Sequence, residues 1–450
     1  MKVRKTVKVP IHFRTTKKKM SYLDNLTARL TYAAHLLCEK INEEGFIPSN
    51  TYDVRRYSEY LEKETGLSTG FIQQVEDKVL WMYKQYKRNH EKWEWAMSNA
   101  REGTRWYKKL EQREPALPDP KRHNKKIPTF FDYRTGRIQR TEDLDLTRWV
   151  MHISTLKKGE TMDVLLNPSD WHEEQLEEAD EIKSFEIVHH PERDCKYMVH
   201  ITYEYESNDA WTSHVCGVDL GIERDLSAVL IDEDGIERFN ILQTCKSERL
   251  KELDDRISHL RRKEKYGVLR RLRSKRQNVA KDFDRKLAKQ FAEMIPDGTT
   301  VFFGNPRDIR YNKYRGNGDK VGRKLLQHWS FSRIIDQCIL KLNENGNKGE
   351  KINEWNTSRL HYKCNQRVER PHNSSFQRVY CSRCDDELDA EFNASINIAV
   401  KGISQHSDKS IEPESFWQNM AGVTDELTQT MDESGLEARK SIEAHSLGCG

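Results

Sequence analysis

Two short knuckles, His361-x-x-Cys364 and Cys381-x-x-Cys384, stand sixteen residues apart near the end of this 450-residue chain. Four soft donors in that spacing oblige a loop and two tight turns to converge on one point. Borderline-soft Zn²⁺ accepts imidazole nitrogen and thiolate sulfur in a single tetrahedron, so the pattern reads as a zinc ribbon in which histidine replaces one cysteine. His372, in the intervening loop, is the rival for the fourth ligand. The plainer alternative is that only one pair is real.

The stretch leading into the first knuckle, NEWNTSRLHYKC, carries Glu354 just before a Thr-Ser pair. Glu354 is either a working acid beside the metal knuckle or an ordinary surface glutamate. Further upstream, Asp219 in GVDLGI sits where an apolar strand meets a glycine turn. A carboxylate at the end of a central strand can hold Mg²⁺, as nucleases of the ribonuclease-H type require; a turn aspartate is the bland reading. Beyond the second knuckle, LDAEFNASINIA places Asp389 and Glu391 at the start of a helix. Acids there are favourable in any protein because they oppose the helix dipole.

Around these motifs the texture of the chain changes several times. VRKTVKVPIHF alternates as a strand does, and residues 21 to about 110 repeat apolar and aromatic residues at helical intervals. The aromatics Trp81, Tyr83, Tyr86, Trp93 and Trp95 are expected in a core, with base stacking as the alternative. EPALPDPKRHNKKIP reads as a linker. TFFDY, RWVMHISTL, TMDVLLN, KSFEIVHH and KYMVHITYEY read as strands of an antiparallel barrel or sheet, which the opening strand could join. From His214 onward strands alternate with helices, which indicates an α/β sheet. A strongly basic helical hairpin interrupts it, with Arg261, Arg262, Lys263, Arg270, Arg271, Arg273, Lys275 and Arg276 as candidate phosphate contacts.

The formal net charge is only +4, but the first nineteen residues contain no acid and the tail beyond Ser404 is acid-rich. The middle is therefore more basic than the total, which favours a polyanionic partner. Nine scattered cysteines and no signal-peptide pattern lead to an expectation of free thiols in a reducing cytoplasm. No apolar run approaches the roughly 20 residues that span a bilayer, so no membrane partner is expected.

Taken in order, Asp219, the basic hairpin, TSRLHYKC, CSRC and EFNASINI resemble one family. It comprises the TnpB proteins of insertion sequences and their relatives, the compact type V CRISPR effectors. The motifs cover about Gly217 to Ala399. The resemblance implies a multidomain α+β protein: an N-terminal β-barrel-like, wedge-like domain with an inserted helical domain, then a RuvC-like, ribonuclease-H-like α/β domain with an inserted zinc ribbon. The first strand would occupy 1–20, the helical recognition domain 21–112 and the remaining barrel strands 126–210. The RuvC-like domain would occupy 214–355, including the hairpin at 247–294. The ribbon would follow at 356–387, the last RuvC-like helix at 388–403, and an acidic, disordered tail at 404–450.

The implied function is guide-RNA-directed cutting of double-stranded target DNA, with two Mg²⁺ ions held by three carboxylates. Asp219 corresponds to the first acid. Two positions depart from the family pattern. Gly304 stands where a glutamate is usual at the end of TVFFGN, and Glu391 stands where aspartate is usual. Some relatives lacking the first glutamate carry one just before the Thr-Ser, where this chain has Glu354. Strands lie about 4.8 Å apart, so a glutamate on the neighbouring strand can reach the same metal. Asp219, Glu354 and Glu391 are thus the expected catalytic acids, with Asp389 as a substitute. Two other readings remain: a guided DNA-binding protein with inactive chemistry, and an unguided resolvase or transposase.

Overall fold

A computed structural model describes residues 2–121, 126–142, 145–157, 159–191, 196–207, 214–232, 235–306, 326, 329–370 and 377–405. His372 and nearly all of the acidic tail lie outside the described residues. The chain divides into two compact units, Lys2–Glu206 and the part from Ser207 onward.

In the first unit, β1 (Lys2–Pro10) is followed by five helices: α1 (Lys17–Glu43), α2 (Thr51–Arg55), α3 (Ser58–Thr65), α4 (Thr69–Ser98) and α5 (Arg105–Glu111). Six strands come next: β2 (Thr129–Phe131), β3 (Gly136–Arg140), β4 (Trp149–Ser154), β5 (Thr161–Leu165), β6 (Glu181–His189) and β7 (Tyr197–Glu206), with α6 (Asp170–Glu177) between β5 and β6. They form two antiparallel sheets, β1-β7-β6-β2 and β3-β4-β5. The opening strand pairs with β7 along its whole length, from Lys2↔Glu206 to Pro10↔Met198. Its alternation explains this: Val3, Val7 and Val9 are buried while the lysines between them are not. The aromatic stripe of α4 splits. Tyr83 is fully buried, but Trp81 and Trp95 are 58% and 51% exposed. The buried residues of α4 end at Tyr83; beyond it Tyr86 and Trp93 are half-buried, with Trp93 Nε1 donating to the Leu110 carbonyl at 2.9 Å, while Trp95 faces solvent.

The second unit contains β8 (His214–Asp219), β9 (Leu226–Ile231), β10 (Ile236–Leu242), α7 (Lys246–Arg262), α8 (Tyr266–Met294) and β11 (Thr299–Asn305). After them come α9 (Phe331–Glu344), β12 (Lys348–Asn353), β13 (Arg378–Cys381), β14 (Asp386–Asp389) and α10 (Ala390–Gln405). The main sheet runs β10-β9-β8-β11-β12. β9 is antiparallel to both β8 and β10, and β8, β11 and β12 are parallel. Apolar residues cover both faces of β8, as a strand buried on both sides requires. Cys216 and Val218 pack with Leu287, Phe291 and Ile334 of α8 and α9; Val215 packs with Ile396, Ile398 and Ala399 of α10. β10, an edge strand with exposed Glu237 and Arg238, carries too weak an alternation to be read from the sequence.

Gly217 lets α10 approach the sheet closely. A Cβ on Gly217 would stand 2.0 Å from the Ser395 carbonyl oxygen and 2.7 Å from the Ala399 nitrogen. Both are backbone atoms and cannot rotate away. Gly217→Ala is therefore expected to cost about 3 kcal/mol or more through overpacking, measured as a fall in unfolding midpoint in urea.

The base of the basic hairpin rests on a buried charge cluster. Lys246 Nζ lies 2.6 Å from Asp284 Oδ1 and 3.9 Å from the centre of the Trp329 ring, and Arg333 Nε reaches Asp284 Oδ2 at 2.5 Å. A buried lysine of this kind is tolerated because its charge is paired and its hydrogens are used. Cys38, Cys216, Cys338, Cys364, Cys381 and Cys384 are free. Among the described residues no helix is long and apolar enough to cross a membrane.

Candidate active site and metal centre

β8 has antiparallel β9 on one side and parallel β11 on the other, so the carboxyl ends of β8, β11 and β12 lie side by side at the edge where open α/β sheets place a ligand crevice. Asp219 ends β8, and its register partner on β9 is Ser227. On the other side, Gly304 of β11 pairs with Ile352 of β12. Glu354 follows two residues later, which returns its side chain to the same face. A Cβ on Gly304 would stand 3.4 Å from Glu354 Oε2 and 2.8 Å from Ile398 Cδ1. The Glu354 side chain thus lies over the space that a β11 side chain would fill. The turn holding it is closed by Thr357, whose hydroxyl and amide donate to the Glu354 carbonyl at 2.8 and 3.2 Å. Asn356 takes the left-handed conformation there, with φ 69°.

Glu391 enters from the first turn of α10. Its Oε2 accepts from Ser227 Oγ at 2.5 Å and from Arg224 Nη1 at 3.2 Å. Burial pushes this carboxyl above its ordinary range, and the Ser227 hydroxyl and Arg224 only partly oppose the shift. Asp389 has both oxygens engaged. Oδ1 accepts from the amides of Glu391 and Phe392 at 2.9 and 3.1 Å, capping the helix. Oδ2 accepts from Arg224 Nη1 at 2.7 Å. Burial acts to lower the Arg224 pKa, but these two acids outweigh it and leave the group raised. Among the described residues, Asp219, Glu354 and Glu391 do not form a set whose oxygens all lie within 4.8 Å of one another.

The ribbon brings His361, Cys364, Cys381 and Cys384 together, with donor atoms all within 4.8 Å. His361 Nδ1 is 3.3 Å from Cys364 Sγ, which in turn is 3.5 Å from Cys381 Sγ. Each knuckle is followed by a residue in the left-handed region, Asn365 at φ 56° and Asp385 at φ 51°. Burial pushes the Cys384 thiol up to about 12. Burial also acts to raise Cys364, but the Gln366 amide and the neighbouring thiols outweigh it and hold it below its ordinary value. Crowded sulfurs of this kind ionise together only when a cation compensates them. Burial lowers the His361 pKa and favours the neutral imidazole that can ligate. Its buried Nε2 has no hydrogen-bond partner and faces Asp386 Oδ2 at 3.6 Å. The donor set therefore fits a metal bound through Nδ1, with a carboxylate behind the imidazole.

The asparagines of EFNASINI connect the two sites. Asn393 Nδ2 donates to the Leu360 carbonyl at 2.9 Å while its Oδ1 accepts from the Tyr362 amide at 3.0 Å. Asn397, one turn on, donates to the carbonyls of Thr357 and Leu360 at 2.8 and 2.7 Å. Together they fasten the segment between Glu354 and the first knuckle to α10. Asn393, Asn397, Ser227, Arg224 and Asp386 take roles that the sequence motifs do not assign. The available signal for the asparagines was their four-residue spacing, which puts both on one helix face. For Ser227 it was a lone hydroxyl in LSAVLI.

On the basic hairpin, Arg261, Arg262, Lys263, Arg270, Arg271, Arg273 and Lys275 are exposed. Arg276 is not free to serve in the same way: its Nε and Nη2 bind Asp254 at 2.6 and 3.0 Å, clasping α8 to α7.

Residues 331–398 match the family model of the Cas12f1-like TNB domain. Over 249 residues the chain is 23% identical to the CRISPR-associated endodeoxyribonuclease Cas12f1 of Sulfoacidibacillus thermotolerans, covering 52% of this chain and 56% of that one. The match thus spans little more than half the length of that relative. Among solved structures, the Cas12f1–sgRNA–target DNA complex is similar at 16% identity and TM-score 0.34, covering 88% of this chain and 99% of the other. The mini-RNA-guided endonuclease CRISPR-Cas_phi3 is similar at 10% identity and TM-score 0.48, covering 88% and 92%. The resemblance to compact type V effectors read from the motifs is borne out by the TNB match and the Cas12f1 relative.

Proposed function

We propose that this chain is a guide-RNA-dependent, Mg²⁺-dependent DNA endonuclease of the TnpB and compact type V kind, with a structural Zn²⁺ in its ribbon. The observation that carries the reading is Glu354 lying over Gly304 at the carboxyl ends of β11 and β12. An acid lost from one strand has its counterpart on the next, on the face that Asp219 and Ser227 share.

Asp219, Glu354 and Glu391 would hold two Mg²⁺ ions, which when bound polarise the scissile phosphate and supply an activated water. Ser227, opposite Asp219 in register, orients Glu391 through its hydroxyl. Thr357 and Asn397 hold the Glu354 turn. Asp389 serves as the cap of α10 rather than as a substitute acid. His361, Cys364, Cys381 and Cys384 would hold the Zn²⁺, fixing the segment that follows Glu354. The test is cleavage of a target duplex by protein carrying its guide RNA, with Mg²⁺ present.

A second reading, guided binding without cleavage, is favoured by the ion pairs that Arg224 makes with Asp389 and Glu391. Guide-dependent binding with no cutting in Mg²⁺ or Mn²⁺, restored to cutting by Glu391→Asp, would establish it. The unguided resolvase reading has no structural observation in its favour.

The exposed hairpin charges are proposed to bind phosphate. Neutralising Arg270, Arg271 and Arg273 together is expected to lower nucleic-acid affinity and to flatten the slope of log affinity against log salt by roughly 2 to 3. Filter binding across a salt series measures this. Arg276→Gln, by contrast, is expected to lower stability with little change in slope.

A further inference from the structure

We infer that Arg224 is an internal counter-ion of the acidic site: it occupies the electrostatic place of a divalent cation in the metal-free protein and must be displaced for the cation to bind. This rests on the proposed metal-binding role of Asp219, Glu354 and Glu391.

A single nitrogen, Nη1, bridges two carboxylates, at 2.7 Å from Asp389 Oδ2 and 3.2 Å from Glu391 Oε2. Of these two acids Glu391 is the proposed metal ligand, so a cation bound there would meet an oxygen that Arg224 already holds. All three side chains are largely withdrawn from solvent, at 17%, 21% and 22% exposure, so water screens the pairing less than at an open surface. The turn carrying Arg224 is built for this approach. A Cβ on Gly221 would stand 2.5 Å from the Arg224 carbonyl oxygen and 3.5 Å from Glu391 Oε1, so glycine lets the turn fold down over Glu391.

Two consequences follow. The apparent metal affinity of the free protein is reduced by the fraction of molecules in which Arg224 holds the acids. A guanidinium released from carboxylates also has a natural second partner in a phosphate. A DNA strand entering the crevice would draw Arg224 away and free Glu391, so that DNA and metal promote each other's binding. This makes metal loading conditional on substrate.

The alternative is that Arg224 permanently positions Glu391 for the metal. The two roles predict opposite signs in Mn²⁺ binding to the full-length chain, followed by electron paramagnetic resonance with an oligonucleotide blank subtracted. For a counter-ion, Arg224→Gln binds Mn²⁺ at least about tenfold tighter than the unaltered protein. Adding a short single-stranded oligodeoxynucleotide then tightens Mn²⁺ binding in the unaltered protein by about 5- to 150-fold, the usual span of coupling between sites, and leaves Arg224→Gln unchanged. Arg224→Lys, which keeps the charge and guards against loss of folding, retains the coupling. Equal or weaker Mn²⁺ binding by Arg224→Gln, or coupling that survives in it, overturns the inference. Asp219→Asn separates the two levels. If it leaves Mn²⁺ binding untouched, the proposed active site fails and this inference with it. If it weakens Mn²⁺ binding while Arg224→Gln does not tighten it, only the inference fails.

Discussion

Asp219→Ala and Glu354→Gln are each expected to reduce guided DNA cleavage by at least about a hundredfold while guide and target binding persist. Misplacing a reacting group by about 1 Å already costs about that much; Asp219→Ala removes the carboxylate outright, and Glu354→Gln removes its negative charge and replaces one oxygen with an amide nitrogen. Single-turnover cleavage beside a binding assay measures both effects. Equal cleavage by Glu354→Gln and the unaltered protein would return Glu354 to an ordinary surface acid. Glu391 is the instructive third case. One methylene more than aspartate carries its carboxylate about 1.5 Å further out, and Mg²⁺ tolerates little departure from octahedral geometry. The structure places this longer side chain against Ser227 rather than free in the crevice. Replacing it with aspartate removes that reach, so Glu391→Asp tests whether the extra length is used or is a defect.

Loss of the zinc ligands is expected to have the second large effect. The ribbon strands β13 and β14 are four residues each, and a lone two-stranded hairpin is at best marginal in water. A structural Zn²⁺ supplies about 10–16 kcal/mol of apparent binding energy, far more than this segment gains from packing. Elemental analysis should give one zinc per chain. Cys381→Ser should lose it and expose the ribbon to proteolysis. Asp386→Asn should weaken zinc affinity about 10- to 100-fold, because the carboxylate behind a ligating imidazole orients it. Retention of zinc by His361→Ala with loss on His372→Ala would reassign the fourth ligand. Because Asn393 and Asn397 tie the ribbon entry to α10, zinc loss should also disturb the Glu354 turn and slow cleavage.

Much of the architecture was legible in the chain because it is written in local patterns. Alternation in VRKTVKVP and the apolar runs of β8, β9 and β11 mark strands whatever their surroundings. The His-x-x-Cys and Cys-x-x-Cys spacings needed only the tetrahedral preference of zinc. Glu354 was reachable too, since strand spacing and the Thr-Ser that follows it are both local. What only the tertiary structure decided were contacts between residues far apart in sequence. Arg224 and Ser227 meet Glu391 across more than 160 positions, and nothing in the helix N-terminus at 389–391 indicates that a cation is waiting there. Arg276 reads as one more phosphate contact until Asp254 is found beside it. Trp81, two residues before buried Tyr83, lies on another face of α4, and Trp95 lies beyond the last buried residue of that helix. Periodicity states which face of an element is apolar. It does not state how far along that face a partner extends, or which charges have already met their counterparts.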